Sequence, residues 1–82
     1  MYSVYIIYSA MFDIFYKGYT GDLEKRLLEH NNDKGRYTKN KGPWKIVYTE
    51  TFSNKTEALK RERSLKKYSK KQIYQLISSL EN

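Results

Sequence analysis

Residues 16–30, YKGYTGDLEKRLLEH, change period part-way along. Up to Gly18 they read as the end of a strand. The chain then turns through Thr20 and Gly21, and Leu23 and Leu27 recur at i, i+4, which predicts an amphipathic helix opening near Asp22. Arg26 and His30 fall at i+3 and i+7 from Leu23, on the side of the leucines. Two strongly polar side chains aimed at a core are costly unless they find partners there. The helix face and the strand end beside it therefore predict a polar pocket.

Outward from this stretch, residues 2–8, YSVYIIY, form a β-branched and aromatic run, which fits a central strand covered on both faces. Residues 9–14 are the turn, and residues 15–19, FYKGY, the second strand of an antiparallel hairpin. Alternation places Tyr16 and Gly18 on one face and Phe15, Lys17 and Tyr19 on the other. The first helix spans 22–31 and is ended by Asn31, Asn32, Asp33 and Gly35. Residues 34–43, KGRYTKNKGP, make a loop with cations and no acid. Residues 44–52, WKIVYTETF, form the third strand. Asn54 and Glu57 have capping-box spacing for a second helix that runs through EALKRERSLKKY. Ser69 and Gln72 repeat the signal, and Ile73, Leu76, Ile77 and Leu80 follow as a core-facing stripe. The expected fold is α+β: a small three-stranded antiparallel sheet flanked by three helices, order β-β-α-β-α-α, in one domain over residues 1–82.

A chain of 82 residues fits a single domain with a modest core. It has no cysteine, which removes disulfides, thiolate metal sites and cysteine nucleophiles, and suits a reducing cytoplasm. The formal net charge of +7 makes a polyanion the expected partner. The N-terminal run MYSVYIIYSAMF lacks a basic segment before it. No stretch reaches the roughly 18–20 apolar residues of a spanning helix, so neither an export signal nor a membrane segment is expected.

Glu62 is the most informative single residue. With Ala58 and Leu65 at i−4 and i+3, it lies within the apolar stripe of the second helix, while Lys60, Arg61, Arg63, Lys66 and Lys67 crowd the flanks. Such a carboxylate is either paired, with Arg26 or a nearby lysine, or holds a metal. A lone carboxylate suits Mg²⁺, which keeps several waters and takes phosphate oxygens. A zinc cage is not expected, because His30 is the only histidine. Taken singly, His30 fits a helix end and its dipole, Arg26 a structural cation, and Tyr5 and Tyr16 ordinary strand residues among nine tyrosines. Taken together they suggest a site.

In combination these residues resemble the GIY-YIG nuclease domain in its minimal stand-alone form. Ser3-Val4-Tyr5 stands at the first signature triplet and Tyr16-Lys17-Gly18 at the second. GYTGDLEKRLLEHN matches the stretch leading to the family's arginine and histidine, here Arg26 and His30. PWKIVYTETF and EALKRERSLKK match the third strand and the glutamate helix, with Glu62 at the metal-ligand position. The resemblance runs from Tyr2 to about Leu80. Ser3 and Val4 replace Gly and Ile, Lys17 replaces Ile, and QIYQL, with Tyr74 and Gln75, stands where many members carry an asparagine.

The resemblance implies hydrolysis of phosphodiesters with one divalent metal, Mg²⁺ or Mn²⁺, on Glu62. Arg26 would neutralise charge on the phosphoryl oxygens. Tyr5 would activate the attacking water, with His30 taking its proton. Tyr16 would complete the site through its hydroxyl, and Gly18 would permit close backbone approach. Arg26, the metal and Lys17 are expected to favour the Tyr5 phenolate.

Lys34, Arg36, Lys39, Lys41 and Lys45 lie on or beside the loop, with Tyr37 among them, and Lys60, Arg61, Arg63, Lys66, Lys67, Lys70 and Lys71 crowd the later helices. Such clusters contact phosphates without reading sequence, and Tyr37 is placed to stack on a base. The expected partner is nucleic acid, DNA first, with selectivity supplied by substrate structure, a homodimer or a protein partner. The alternatives are a non-catalytic nucleic-acid-binding module on the same fold and a small partner-binding domain. The site residues favour the endonuclease.

Overall fold

The apolar N-terminal run becomes the middle of the sheet. In the computed structural model, which describes residues 1–81, Tyr2–Ser9 forms β1, flanked by Ile14–Thr20 (β2) and Lys45–Phe52 (β3). The strand order is β2-β1-β3 and both pairings are antiparallel. A run without polar breaks needs cover on both sides, and Val4, Tyr5, Ile6 and Ile7 are all buried. In the hairpin register Tyr5 lies opposite Gly18, Ile6 opposite Lys17 and Ile7 opposite Tyr16.

Three helices supply the cover: α1 (Leu23–Asn31), α2 (Lys55–Lys66) and α3 (Lys70–Ser78), which completes an α+β fold in the order β-β-α-β-α-α. Val4 and Ile6 pack with Tyr48, Ala58, Leu65 and Ile73, so α2 and α3 lie on that face. Tyr5 and Ile7 pack with Trp44, and Tyr16, Leu23 and Leu27 join them, so α1 lies on the other. Phe15 and Tyr19 side with the first face and Tyr16 with the second, as period-2 alternation requires.

The caps are those read from sequence. Asp22 accepts from the Lys25 amide and Asn54 from the Glu57 amide, and Ser69 with Gln72 forms a full capping box. Two helix ends differ from expectation. α2 stops at Lys66, and the Lys67 amide closes its last turn. Leu80 leaves the α3 stripe for a 3₁₀ turn, Ser79–Glu81, and is 59 % exposed. The Ser79 hydroxyl donates to the Leu76 carbonyl at 2.7 Å, a local bond that competes with continued helix.

The segment after α1 is far from an open basic loop. Asp33 adopts φ 59°, its amide returns to the His30 carbonyl, and the Lys34 amide reaches the Glu29 carbonyl, the pattern of a Schellman cap. The Asp33 carboxylate accepts from the Asn40 amide at 2.9 Å. Asn31 brackets Trp44, accepting its N–H at 2.7 Å and donating to its carbonyl at 3.1 Å. The loop is thus tied at both ends, with Gly35 and Thr38 buried beneath it. No helix among the described residues is long and apolar enough to cross a membrane.

Candidate active site

Tyr5 and His30 meet between the sheet and α1. The Tyr5 hydroxyl lies 2.8 Å from His30 Nε2, and His30 Nδ1 lies 2.7 Å from the Thr38 hydroxyl. Tyr5 is 2 % exposed, and His30 and Thr38 are 1 % exposed each. Tyr16 meets the imidazole edge-on with ring centroids 5.1 Å apart, and its centroid is 6.5 Å from that of Tyr5. Gly35 makes room for the cluster: a Cβ there would come 2.2 Å from Thr38 Oγ1 and 2.8 Å from His30 Nδ1. Gly18, expected to admit a substrate's approach, is buried against the Tyr5 ring instead.

Burial dominates the electrostatics. It pushes the Tyr5 phenol up to about 12; Arg26 pulls the other way, while Tyr16 and Glu62 add to the rise. The expected bias toward phenolate is therefore reversed in the protein alone. Lys17 does not relieve it, because Lys17 lies opposite Ile6 and projects to the other face. Burial, with help from Arg26, pushes His30 down to about 4, so the imidazole is neutral at pH 7. Arg26 stands one helical turn before His30 and lies 3.2 Å from the Glu29 carboxylate. Burial works against the guanidinium, but Tyr5 and Glu29 outweigh it and hold its pKa above the ordinary value.

Glu62 arrives from the opposite side of the sheet, on the stripe where Ala58 and Leu65 are fully buried. Its side chain is 13 % exposed and its salt-bridge partner is Lys66 at 3.6 Å; Arg26 turns to Glu29 instead. Its charge nevertheless reaches Tyr5. Among the described residues no three histidines, cysteines or carboxylates gather into a metal cage. A single part-buried carboxylate with a loosely held lysine fits Mg²⁺ or Mn²⁺, which keep waters and accept phosphate oxygens.

The residues predicted to touch substrate divide. Lys17 and Lys66 line a cleft with Phe15, Tyr16 and Tyr37. Tyr37 stacks on Tyr16, centroids 5.6 Å apart, while Lys41 Nζ sits 4.2 Å from the Tyr37 centroid and donates to its carbonyl. Arg36, Lys39 and Lys67 are exposed. Lys34 lies among Asp22, Glu24 and Glu29 on the outer side of α1. Arg61 is committed within the fold, 2.9 Å from the Glu50 carboxylate and beside the Tyr68 hydroxyl. Sequence reasoning missed Thr38, an isolated polar residue in a basic loop that carries no pattern, and read Asn31 and Gly35 only as the end of α1. Trp44, read only as a strand residue, precedes β3 and donates its indole N–H to the Thr38 carbonyl at 3.3 Å.

Comparison with known proteins identifies the family. Residues 1–75 match the model of the GIY-YIG catalytic domain. A UPF0213 protein of Staphylococcus saprophyticus is 48 % identical over 64 residues, covering 77 % of this chain and 78 % of that one. A UPF0213 protein of Halobacterium salinarum is 38 % identical over 73 residues, covering 88 % and 94 %. The solution NMR structure of a UPF0213 protein from Bacillus halodurans superposes with a TM-score of 0.60 at 36 % identity, over 95 % of this chain and 84 % of that one. The chain belongs to the GIY-YIG catalytic domain family, whose chemistry is of the nuclease type.

Proposed function

We propose that the protein is a metal-dependent endonuclease that hydrolyses phosphodiester bonds of nucleic acid, DNA first. The observation that carries this reading is the buried relay from Tyr5 through His30 to Thr38. With the imidazole proton on Nδ1, His30 donates to Thr38 and its Nε2 is free to accept from Tyr5. Tyr5 passes its proton to Nε2, and the phenolate so formed takes a proton from the attacking water. The water oxygen bonds to phosphorus as the bond to the leaving oxygen breaks. Arg26 offers a fixed cation to the charge that accumulates on the phosphoryl oxygens. Tyr16 packs against the imidazole and keeps its ring in place. A divalent ion held by Glu62 would supply Lewis-acid stabilisation at the phosphate and leaving-group oxygens and positive charge that favours Tyr5 ionisation.

The second reading, a binding module without useful catalysis, draws on the Tyr5 phenol being pushed up to about 12 and on Gln75 standing in the region of the family's asparagine. One experiment separates the two. Branched, nicked, single-stranded and duplex DNA, and RNA, are incubated with the protein in Mg²⁺ and in chelator. Metal-dependent cleavage that vanishes in Glu62→Ala, while that variant still binds, supports the enzyme. Salt-sensitive binding of every substrate without cleavage overturns it.

A further inference from the structure

The cleft lined by Phe15, Tyr16, Lys17, Tyr37 and Lys66 is a shallow groove, largely open to solvent, of about 260 Å³. Successive side chains of a strand point to opposite faces. Three consecutive residues of β2 can share one cleft only where it wraps around the strand's edge. That edge is free among the described residues, where β1 alone pairs with β2. Tyr37 reaches the cleft from the face of Tyr16, and Lys66 comes from α2 on the other face. The cleft thus bridges the side that holds Tyr5 and His30 and the side that holds Glu62.

Three aromatic residues and two lysines line it. Lys66 is shared with Glu62 at 3.6 Å. Lys17 is half-buried and pairs with no acid among the described residues. An ammonium that loses water without gaining an acid is costly, and burial lowers its pKa. An anion in the cleft would restore the balance. The volume falls below the about 300–1,000 Å³ of small-molecule pockets, which leaves room for a single nucleotide unit. Alternate residues of an edge strand also turn N–H and C=O groups outward, toward a sugar or phosphate.

We infer that this cleft is a subsite for one unpaired nucleotide next to the cleaved phosphodiester, with Lys17 on its phosphate and the aromatic rings against its sugar and base. The inference rests on the nuclease reading above and narrows its substrate. A base inside a duplex has both faces stacked and its edge paired, so it cannot lie against these rings. The substrate is then a flap, a gap edge or another strand junction rather than continuous duplex.

The test measures binding in chelator, which takes cleavage out of the readout. Fluorescence anisotropy compares a blunt duplex with the same duplex carrying one unpaired strand, with 2-aminopurine at the junction nucleotide. The expected result is about tenfold tighter binding of the branched form, with quenching of the 2-aminopurine by stacking. Lys17→Ile should lose most of that preference and reduce the salt slope by about one, while Lys17→Arg retains both. Circular dichroism of each variant checks that the sheet is intact. Equal wild-type affinity for the two substrates, or an unchanged preference in Lys17→Ile, overturns the subsite. A parallel arm in Mg²⁺ tests the nuclease reading separately: preference without cleavage keeps the subsite and removes the enzyme, and cleavage without preference does the reverse.

Discussion

Gly18 lies opposite Tyr5 in the antiparallel ladder, and a Cβ placed on it would come 2.6 Å from the Tyr5 hydroxyl oxygen and 2.7 Å from Cζ. The ring therefore lies over a backbone position that only glycine leaves open. The same hydroxyl meets His30 at 2.8 Å, so whatever displaces the ring also breaks the relay. Gly18→Ala is expected to destabilise the protein by about 1–3 kcal/mol through overpacking. It should lower cleavage by about 10² through misplacement of the Tyr5 oxygen. Urea denaturation and initial cleavage rates measure the two effects; an alanine variant with wild-type rates would show that the ring has another position.

Thr38 holds the far nitrogen of His30 at 2.7 Å. Thr38→Val keeps the shape and removes the hydroxyl, leaving a buried ring nitrogen without a partner. A loss of about 1–3 kcal/mol is expected, with slower cleavage, and Thr38→Ser should recover both. If valine costs nothing in either assay, Thr38 does not orient the imidazole.

The pH dependence of stability follows from His30, whose pKa burial pushes from 6.5 down to about 4. The unfolded chain binds a proton that the folded chain refuses between those values. Its contribution to stability is therefore complete above about pH 6.5 and is lost as pH falls to about 4, on the order of 3 kcal/mol. Denaturation midpoints between pH 7 and 4 should fall accordingly, and the decline should be shallower in His30→Gln.

The rate should follow the opposite end of the relay. Tyr5 must lose its proton, and in the protein alone burial holds it up to about 12. Because His30 Nε2 takes that proton inside the relay, no net proton is released, and cleavage is expected to change little between pH 6 and 8, where His30 is neutral and Tyr5 protonated. Tyr5→Phe should abolish the activity at every pH in that range. A rate that climbs about tenfold per pH unit over that range would show that the Tyr5 proton goes to solvent and not to His30.

Glu62 and Lys66 form a 3.6 Å pair one turn apart on α2. Glu62→Gln removes the carboxylate and releases the ammonium. Cleavage in Mg²⁺ or Mn²⁺ should fall by at least about 10³, the scale of several kcal/mol of lost Lewis-acid stabilisation. Nucleic-acid affinity should hold or increase because a negative charge beside the phosphates is gone and Lys66 loses its acid partner. Parallel loss of binding and cleavage would indicate that Glu62 supports the fold instead.

Much of the architecture could be read from local patterns. The run Tyr2–Ser9 could only be central, because it has no polar face to give to water. The leucines of α1 and the capping residues Asp22, Asn54 and Ser69 placed the helices to within a few residues, since cap chemistry acts over one turn. Alternation alone put Tyr16 and Gly18 on one face of β2; the hairpin register made it the face of Tyr5. Packing across the chain decided the rest. That Thr38 is the partner of His30, that Gly35 is the gap they share and that Arg61 belongs to Glu50 depend on contacts between segments with no common period. The sign of the Tyr5 shift was likewise out of reach of sequence. Nearby cations can be counted along a chain, whereas desolvation depends on how completely the folded protein excludes water from that oxygen, and here desolvation is the larger effect.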